Sequence, residues 1–313
     1  MRVKIEHFFM SRKIFRTALY GFILCAISIL LMSCGLNVVQ KRGVSSFGNA
    51  ALDLGDTVSE QLPTMRNNVI EMKKLRYAIE NEELPALKDR KSYQDKFNFD
   101  SGLDPDNLNE RIKAVNLLSS YGSFLIAFSR ETQEKELKAA SNKLVESIQD
   151  FPDTSLSDDQ VKGLGKVVQV SGKLFIEWKK KKAIQKIVPK VSPLIQQLCD
   201  SLEKDFNKKK TGIAHNVDIV QDRLYNESID GLKRGSTSVS DRLVQLEGFM
   251  LADDSLARLE RTSERVLKAV SSMRKADKEI VQLVKNKSVS IEDIKLFHKN
   301  TKELVDALKV FVK

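Results

Sequence analysis

Cys34 is the residue whose type and position most directly suggest chemistry, because a cysteine thiolate is a nucleophile. It directly follows an apolar run that covers residues 18–33, and three basic residues precede that run: Arg12, Lys13 and Arg16. A basic segment, an apolar segment of about 15 residues and a small residue at its end are typical of a secretory signal, whereas a spanning helix needs about 20 apolar residues. The N-terminus therefore predicts export. Translation could start at Met1 or at Met10, and Met10 gives the basic segment the more usual length.

The segment Leu31-Met32-Ser33-Cys34 resembles the lipobox of bacterial lipoprotein precursors. The resemblance implies that residues 1–33 are a signal peptide, that the Cys34 thiol is acylated, and that Cys34 begins the mature chain. Several fatty acyl chains, palmitate among them, would then hold the protein at a membrane, since two or more chains anchor stably. Gly35 at the second mature position implies the outer membrane with the body facing the periplasm, and inner-membrane anchoring stays open. The alternative is an ordinary signal peptide or an N-terminal anchor with an incidental cysteine.

No catalytic or metal-binding pattern accompanies this signal. Cys199 has no second cysteine to pair with once Cys34 is acylated and residues 1–33 are removed, and its place on an apolar helix face favours burial. His215 and His298 fit no metal-ligand spacing. The segment Gly163-Leu164-Gly165-Lys166 lacks most of a phosphate loop, so close helix packing explains its glycines better. We predict that the protein is not an enzyme and needs no metal or cofactor.

The charge of the chain argues against nucleic acid as a partner. The formal net charge is +10, and residues 1–33 hold five basic residues and one acidic residue, so the mature chain carries +6. This charge is spread among many acidic residues, whereas nucleic-acid-binding proteins concentrate it in one patch.

Two lysine clusters are candidate contacts for anionic lipid head groups or for an acidic partner. One is Lys179, Lys180, Lys181 and Lys182, and the other is Lys208, Lys209 and Lys210. Polybasic segments bind anionic bilayers in this way. The alternative is a solvated helix flank, in which lysine stems lie along the bundle and the ammonium groups reach water.

The mature chain predicts an all-α fold, an elongated bundle of long antiparallel amphipathic helices. Apolar residues recur with a helical period from about residue 46 to the end, and no strand alternation is longer than four residues. Helices of this length bury their apolar stripes best by packing side by side. The longest stripe runs through residues 243–284 and begins with Leu243, Leu246 and Met250, which we expect to face neighbouring helices.

Local signals divide the mature chain into elements. Residues 34–45 predict a tether and residues 46–313 the helical bundle, in which residues 46–152 and 157–313 could form two sub-bundles. Helices should start at Asp104-Pro105 and at Ser157, which has Gln160 three residues later. Breaks or kinks are expected at Pro63, Pro189 and Pro193, whereas the stretches 105–148 and 157–188 and the region around Gly212 read as continuous helix.

These observations favour a lipid-anchored envelope lipoprotein that acts as a non-enzymatic helical binding or scaffold module. Its partners would be the membrane, through acylated Cys34, and an envelope protein; the oligomeric state stays open. The alternative is a periplasmic ligand-binding or sensory bundle that holds a small molecule between its helices.

Overall fold

Eight helices and no strand make up the part of the chain that the structure describes. The structure is a computed structural model that describes residues 36–80, 99, 103–130, 134–152, 157–171, 177–235, 238–285 and 291–309. The helices are α1 (Val38–Ile79), α2 (Pro105–Ser129), α3 (Glu134–Gln149), α4 (Asp158–Ser171), α5 (Glu177–Phe206), α6 (Ile213–Arg234), α7 (Val239–Val284) and α8 (Glu292–Lys309). This confirms the predicted all-α fold. None of these helices is both long enough and apolar enough to cross a membrane.

Two helix starts confirm the capping signals in the sequence. The Asp104 carboxylate accepts hydrogen bonds from the amides of Asp106 and Asn107, and Pro105 fills the first position of α2. At the start of α4, the Gln160 side chain accepts from the Ser157 amide at 2.9 Å, and the Ser157 hydroxyl accepts from the Gln160 amide at 3.4 Å. These local hydrogen bonds satisfy amides that have no partner inside the helix.

The first helix begins earlier than predicted, so the tether over residues 34–45 is wrong from residue 38 onward. Asn37 caps α1 through a capping box with Gln40. Val44 is fully buried and Gln40 is 2 % exposed, so this turn packs into the bundle. The pattern Asn-x-x-Gln was the sequence signal for this start. Burial on the helix outweighed the glycine and polar residues that suggested a tether.

The prolines inside helices do not end them. α1 continues through Pro63, and α5 continues through both Pro189 and Pro193. A proline in a helix interior removes one backbone hydrogen bond and costs about 3 kcal/mol. Fully buried side chains flank the prolines of α5 on both sides, among them Val188, Val191 and Leu194. Their burial offsets the lost hydrogen bonds because each contributes roughly 1.5–3 kcal/mol.

Two predicted continuous helices are interrupted instead, and a third runs into residues that the structure does not describe. α2 ends at Ser129, where Arg130 adopts an extended backbone, and α3 begins at Glu134. The stretch 157–188 is divided between α4 and α5, and residues 172–176 lie outside the described residues. α5 ends at Phe206, and Gly212 precedes α6 rather than loosening a longer helix. A Cβ at residue 212 would lie 2.2 Å from the Lys204 carbonyl oxygen, so only glycine fits this close reversal of the chain.

The helices form an antiparallel bundle in which α7 is the central element. α7 has 46 residues, a length of about 69 Å at 1.5 Å per residue. α1, α5, α6 and α8 all pack against it, while α2 packs mainly against α1, and α3 and α4 extend the bundle from α2 towards α5. The start of α1 lies beside the end of α7, because Gln40 contacts Leu283. The end of α1 lies beside the first half of α7, where Ile79 approaches Gly248.

One hydrophobic core runs through the whole bundle. It contains buried side chains from all eight helices. Phe47 of α1 joins two neighbours, because its ring centroid lies 6.1 Å from that of Tyr121 on α2 and 5.4 Å from that of Phe297 on α8. α1 therefore contacts helices from both predicted sub-bundles, residues 46–152 and residues 157–313. The continuous core favours one bundle.

Candidate binding surfaces

The predicted anchor lies outside the described residues. Residues 1–33, Cys34 and Gly35 all fall there, so the signal peptide and the acylation stay predictions. The first helical residue, Val38, follows Cys34 by four positions. A link this short reaches at most about 14 Å. Acylation of Cys34 would therefore hold the start of α1 close to the bilayer surface.

The first lysine cluster lies near this same end of the bundle. Gln185 of α5 donates from Nε2 to the Val284 carbonyl at 2.8 Å, beside the bond from Gln40 Nε2 to the Leu283 carbonyl at 2.7 Å. We call this end, defined by Gln40, Gln185 and Val284, the proximal end. Lys180 is only 7 % exposed, Lys181 is half-buried and Lys182 is exposed. The side chains of Lys179 and Trp178 lie outside what the structure describes.

The second lysine cluster is largely neutralised by acidic residues. Lys208 Nζ lies 2.9 Å from Asp218 Oδ1 and 3.4 Å from Glu260 Oε1. Burial acts to lower the pKa of Lys208, but the hydrogen bonds and charges of these two carboxylates outweigh it and raise the pKa. Lys210 Nζ pairs with Glu203 at 2.8 Å, and Lys209 is exposed. Lys208 therefore joins the turn after α5 to α6 and α7, and the cluster offers less free positive charge than its sequence suggests.

A buried carboxylate on α7 forms a polar site in the core, and no sequence pattern marked it. Asp277 is fully buried, and its Oδ2 accepts from Ser192 Oγ at 2.6 Å and from Gln196 Nε2 at 2.7 Å. Burial raises the pKa of Asp277 to about 6, although the two hydrogen bonds act to lower it. Asp277 Oδ1 and Tyr121 Oη are also buried, and neither has a hydrogen-bond partner among the described residues.

Cys199 has the buried position that the sequence predicts. The side chain is fully buried on α5, with Sγ 4.0 Å from the Val270 carbonyl oxygen. Burial raises the pKa of its thiol to about 12, so the reactive thiolate is scarce at neutral pH. His215 Nδ1 lies 3.0 Å from the Lys208 carbonyl oxygen, and His298 is exposed. The described residues contain no group of histidine, cysteine and carboxylate side chains that could hold a metal ion.

The two glycines of the rejected phosphate loop differ in their surroundings. A Cβ on Gly165 would lie 3.4 Å from Val145 of α3, so this glycine supports the close packing of α4 on α3. A Cβ on Gly163 would meet nothing within 4 Å. Close packing therefore explains Gly165 and leaves Gly163 without a structural role.

A cleft between α2 and α5 brings several polar side chains together. Its volume is about 270 Å³, and its walls include Arg111, Gln197 and Asp205. Arg111 Nε donates to Asp205 Oδ2 at 2.9 Å, and Arg111 Nη1 donates to the Asn107 carbonyl at 3.1 Å. The volume is just below the range of about 300–1,000 Å³ that is usual for small-molecule sites. The guanidinium of Arg111 already donates hydrogen bonds to Asp205 and to the Asn107 carbonyl.

The first half of α7 carries an apolar stripe that faces solvent, contrary to the prediction that it faces neighbouring helices. We define the α7 stripe as Val239, Leu243, Leu246 and Met250, which are 65 %, 61 %, 45 % and 64 % exposed. Because a helix turns by about 100° per residue, these four residues lie on the side opposite its buried residues. The buried residues are small or polar: Gln245, Gly248, Ala252 and Ser255.

Close contact with α6 explains why α7 is oriented in this way. A Cβ on Gly248 would lie 2.6 Å from Ser228 Oγ, and a Cβ on Gly231 would lie 2.7 Å from Gln245 Nε2. The two backbones therefore approach more closely than leucine side chains would permit. The run of small residues on α7 was the signal that could have identified its inner face.

Comparison of the chain with protein-family models, with curated proteins and with solved structures finds no match. The function is therefore argued from the residues and contacts described above.

Proposed function

We propose that the chain is a lipid-anchored envelope lipoprotein that acts as a non-enzymatic binding module, with the α7 stripe as its binding surface. The observation that carries the binding role is the exposure of four large apolar side chains on one helix face. Contiguous exposed apolar surface on a soluble body is typical of protein interaction sites. The lipobox-like segment that ends at Cys34 supports the anchor.

The antiparallel arrangement separates the anchor from the binding surface. The proximal end holds the start of α1, whereas the α7 stripe lies near the end of α1, where Ile79 meets Gly248. Leu246 and Val284 are 38 residues apart on the same helix, or about 57 Å along its axis. The bundle therefore acts as a rigid spacer that presents the stripe to a protein partner away from the membrane.

The anchor is tested by mass spectrometry of the N-terminal peptide from the native membrane protein. We expect a peptide that begins at Cys34 and carries fatty acyl chains. Cys34→Ser should move the protein from the membrane fraction to the soluble fraction, whereas Cys25→Ala should be processed and anchored normally. An unmodified Cys34 thiol in the membrane-bound protein would refute the proposal.

The binding role is tested separately by making the stripe polar. Leu243→Ser combined with Leu246→Ser should abolish capture of a protein partner by the anchored chain, while Val170→Ser, which alters an exposed valine elsewhere, should retain it. Equal capture by both variants would show that the stripe does not bind the partner.

The alternative, a ligand-binding or sensory bundle, rests on the cleft beside Arg111. Its small volume and the pairing of Arg111 with Asp205 supply few unpaired groups for a ligand. The stripe, by contrast, exposes surface that a partner would bury, so the binding module is the better supported function.

A further inference from the structure

The α7 stripe has the spacing of a coiled-coil seam. Its four residues follow one another at intervals of four, three and four positions. This is the alternation of the apolar a and d positions in a heptad repeat, with Val239 and Leu246 at d and Leu243 and Met250 at a. The seam faces away from the bundle, so a second helix can approach it without displacing any described element.

We propose that the partner of the α7 stripe is a second copy of this chain, paired through the first half of α7 as a short parallel two-stranded coiled coil. This inference deepens the proposed function, because it names the partner of the proposed binding surface.

The charges beside the seam complement those of a second copy. Arg242 occupies the g position on one side of the stripe and Glu247 the next e position on the other side, and both are exposed. Neither side chain forms an ion pair within the described part of the chain. In a parallel pair, a g residue contacts the e residue five positions later on the other helix. Arg242 of each copy would therefore meet Glu247 of the other, giving two symmetric ion pairs.

An antiparallel pair would lose this complementarity. In that arrangement g lies beside g and e beside e, so Arg242 and Glu247 would not meet. The proposed anchor gives the same preference for a separate reason. Two parallel copies of α7 have both proximal ends on the same side, so both Cys34 residues reach one bilayer, whereas antiparallel copies would point them in opposite directions.

The seam is short, and the pairing should accordingly be weak in dilute solution. Two heptads bury little surface compared with a stable dimer interface. Confinement to a membrane raises the effective concentration of the two copies and strengthens pairing without any new contact. The proposed dimer is therefore one that forms on the membrane and dissociates on dilution.

Site-directed disulfide cross-linking of the full mature chain tests the pairing. The chain is reconstituted in vesicles of phosphatidylethanolamine and phosphatidylglycerol and oxidised gently. Leu243→Cys and Met250→Cys should each cross-link to an identical chain, because equivalent a positions meet in a parallel pair. Val170→Cys, an equally exposed valine on α4, should remain monomeric and is the matched control. The mature chain without an introduced cysteine is the control for any disulfide that forms through Cys34.

Charge exchange provides the second measurement. In the Leu243→Cys background, Arg242→Glu or Glu247→Arg alone should lower the cross-linking yield about tenfold, because each places like charges together in both pairs. The double variant Arg242→Glu/Glu247→Arg should restore the yield, which a general loss of folding would not do.

Three results would overturn the inference. They are the absence of a cross-link at both a positions, a cross-link only between Leu243→Cys and Leu246→Cys chains, in which a faces d as in an antiparallel pair, and charge variants that leave the yield unchanged. If neither a position cross-links and the Leu243→Cys thiol is also protected from maleimide, another segment or protein covers the stripe. The mass of the Cys34 peptide, read from the same sample, shows separately whether the anchor has failed. Cross-linking of the same cysteine variants in a Cys34→Ser background, in concentrated detergent solution, tests the pairing without the anchor.

Discussion

Gln40 at the start of α1 donates a hydrogen bond from its Nε2 to the carbonyl of Leu283 at the end of α7, at a distance of 2.7 Å. The Oε1 of the same side chain accepts from the Asn37 amide at 3.0 Å. The buried Gln40 amide therefore caps both the start of α1 and the end of α7. These two helix ends are separated by more than 240 residues in sequence. Its donor and acceptor are both used, which only an uncharged amide can do here.

Gln40→Glu should destabilise the protein by roughly 1–3 kcal/mol, because the carboxylate cannot donate and leaves the Leu283 carbonyl without its partner. Thermal unfolding measures the loss, and hydrogen exchange should accelerate at the start of α1 and the end of α7. Gln160→Glu is the control, since Gln160 only accepts from the Ser157 amide and glutamate serves equally well there. Similar unfolding temperatures for both variants would contradict the capping role.

Gly122→Ala should destabilise the pairing of α1 and α2 by roughly 1–3 kcal/mol or more. A Cβ at this position would lie 2.5 Å from the Gly48 carbonyl oxygen and 2.6 Å from the Leu52 amide nitrogen, and backbone atoms cannot move aside cheaply. Gly163→Ala, with nothing within 4 Å, should instead add roughly 0.5–1 kcal/mol through helix propensity. Urea unfolding of the two variants measures both effects, and opposite signs are expected.

Asp277→Asn should flatten the dependence of stability on pH. The pKa of Asp277 rises from 3.8 unfolded to about 6 in the folded protein, chiefly by burial. The folded state therefore holds the proton more tightly, and the stabilisation is full below pH 4 and lost as the pH rises through 6. The loss amounts to about 3 kcal/mol by pH 8.

Unfolding midpoints of the parent and of Asp277→Asn between pH 4.5 and 8 check this prediction. The variant should gain stability relative to the parent as the pH rises. Asp254→Asn changes an exposed carboxylate on the same helix and should follow the parent curve. Parallel curves for the parent and Asp277→Asn would show that the buried carboxylate does not titrate in this range.

Lys182→Glu should weaken binding of the anchored protein to phosphatidylglycerol vesicles at low salt, whereas Lys209→Glu should not. Lys182 is exposed at the proximal end, one turn before Gln185. Lys209 is next to Lys208, and Lys208 contacts Glu260 of α7. Glu260 precedes Val284 at the proximal end by 24 residues, or about 36 Å along the helix. A lysine contributes about 1 kcal/mol to binding near an anionic surface and little beyond a Debye length. Vesicle co-sedimentation measures the difference, and an equal effect of both variants would contradict the proposed orientation.

The elements that were predicted correctly were those with purely local causes. Asp104 and Ser157 cap helices with side chains that reach only two or three residues ahead. The helical period through residues 243–284 corresponds to one uninterrupted helix. The start of α1 was missed although Asn37 and Gln40 carry the same kind of local signal.

The exposure of the α7 stripe could not be predicted, because hydrophobic periodicity does not say which face of a helix is covered by neighbouring helices. Leu243, Leu246 and Met250 have the period of a core stripe, yet they face solvent. The helix break that we considered at the prolines of α5 does not occur for a related reason, since burial of the residues around them decides whether the helix continues.

The sequence by itself determined the helical character of the chain and the helix starts at Pro105 and Asp158, since each follows from residues close together along the chain. The export signal that ends at Cys34 stays a prediction from the same kind of local pattern. Only the tertiary structure decided that Gln40 closes the end of α7, that Asp277 is buried beside Ser192 and Gln196, and that the apolar stripe of α7 is left outside. The physical reason is that glycine and serine let α6 approach the opposite face of α7 closely. The fit between two backbones, rather than the hydrophobicity of one helix, selected the face that is buried.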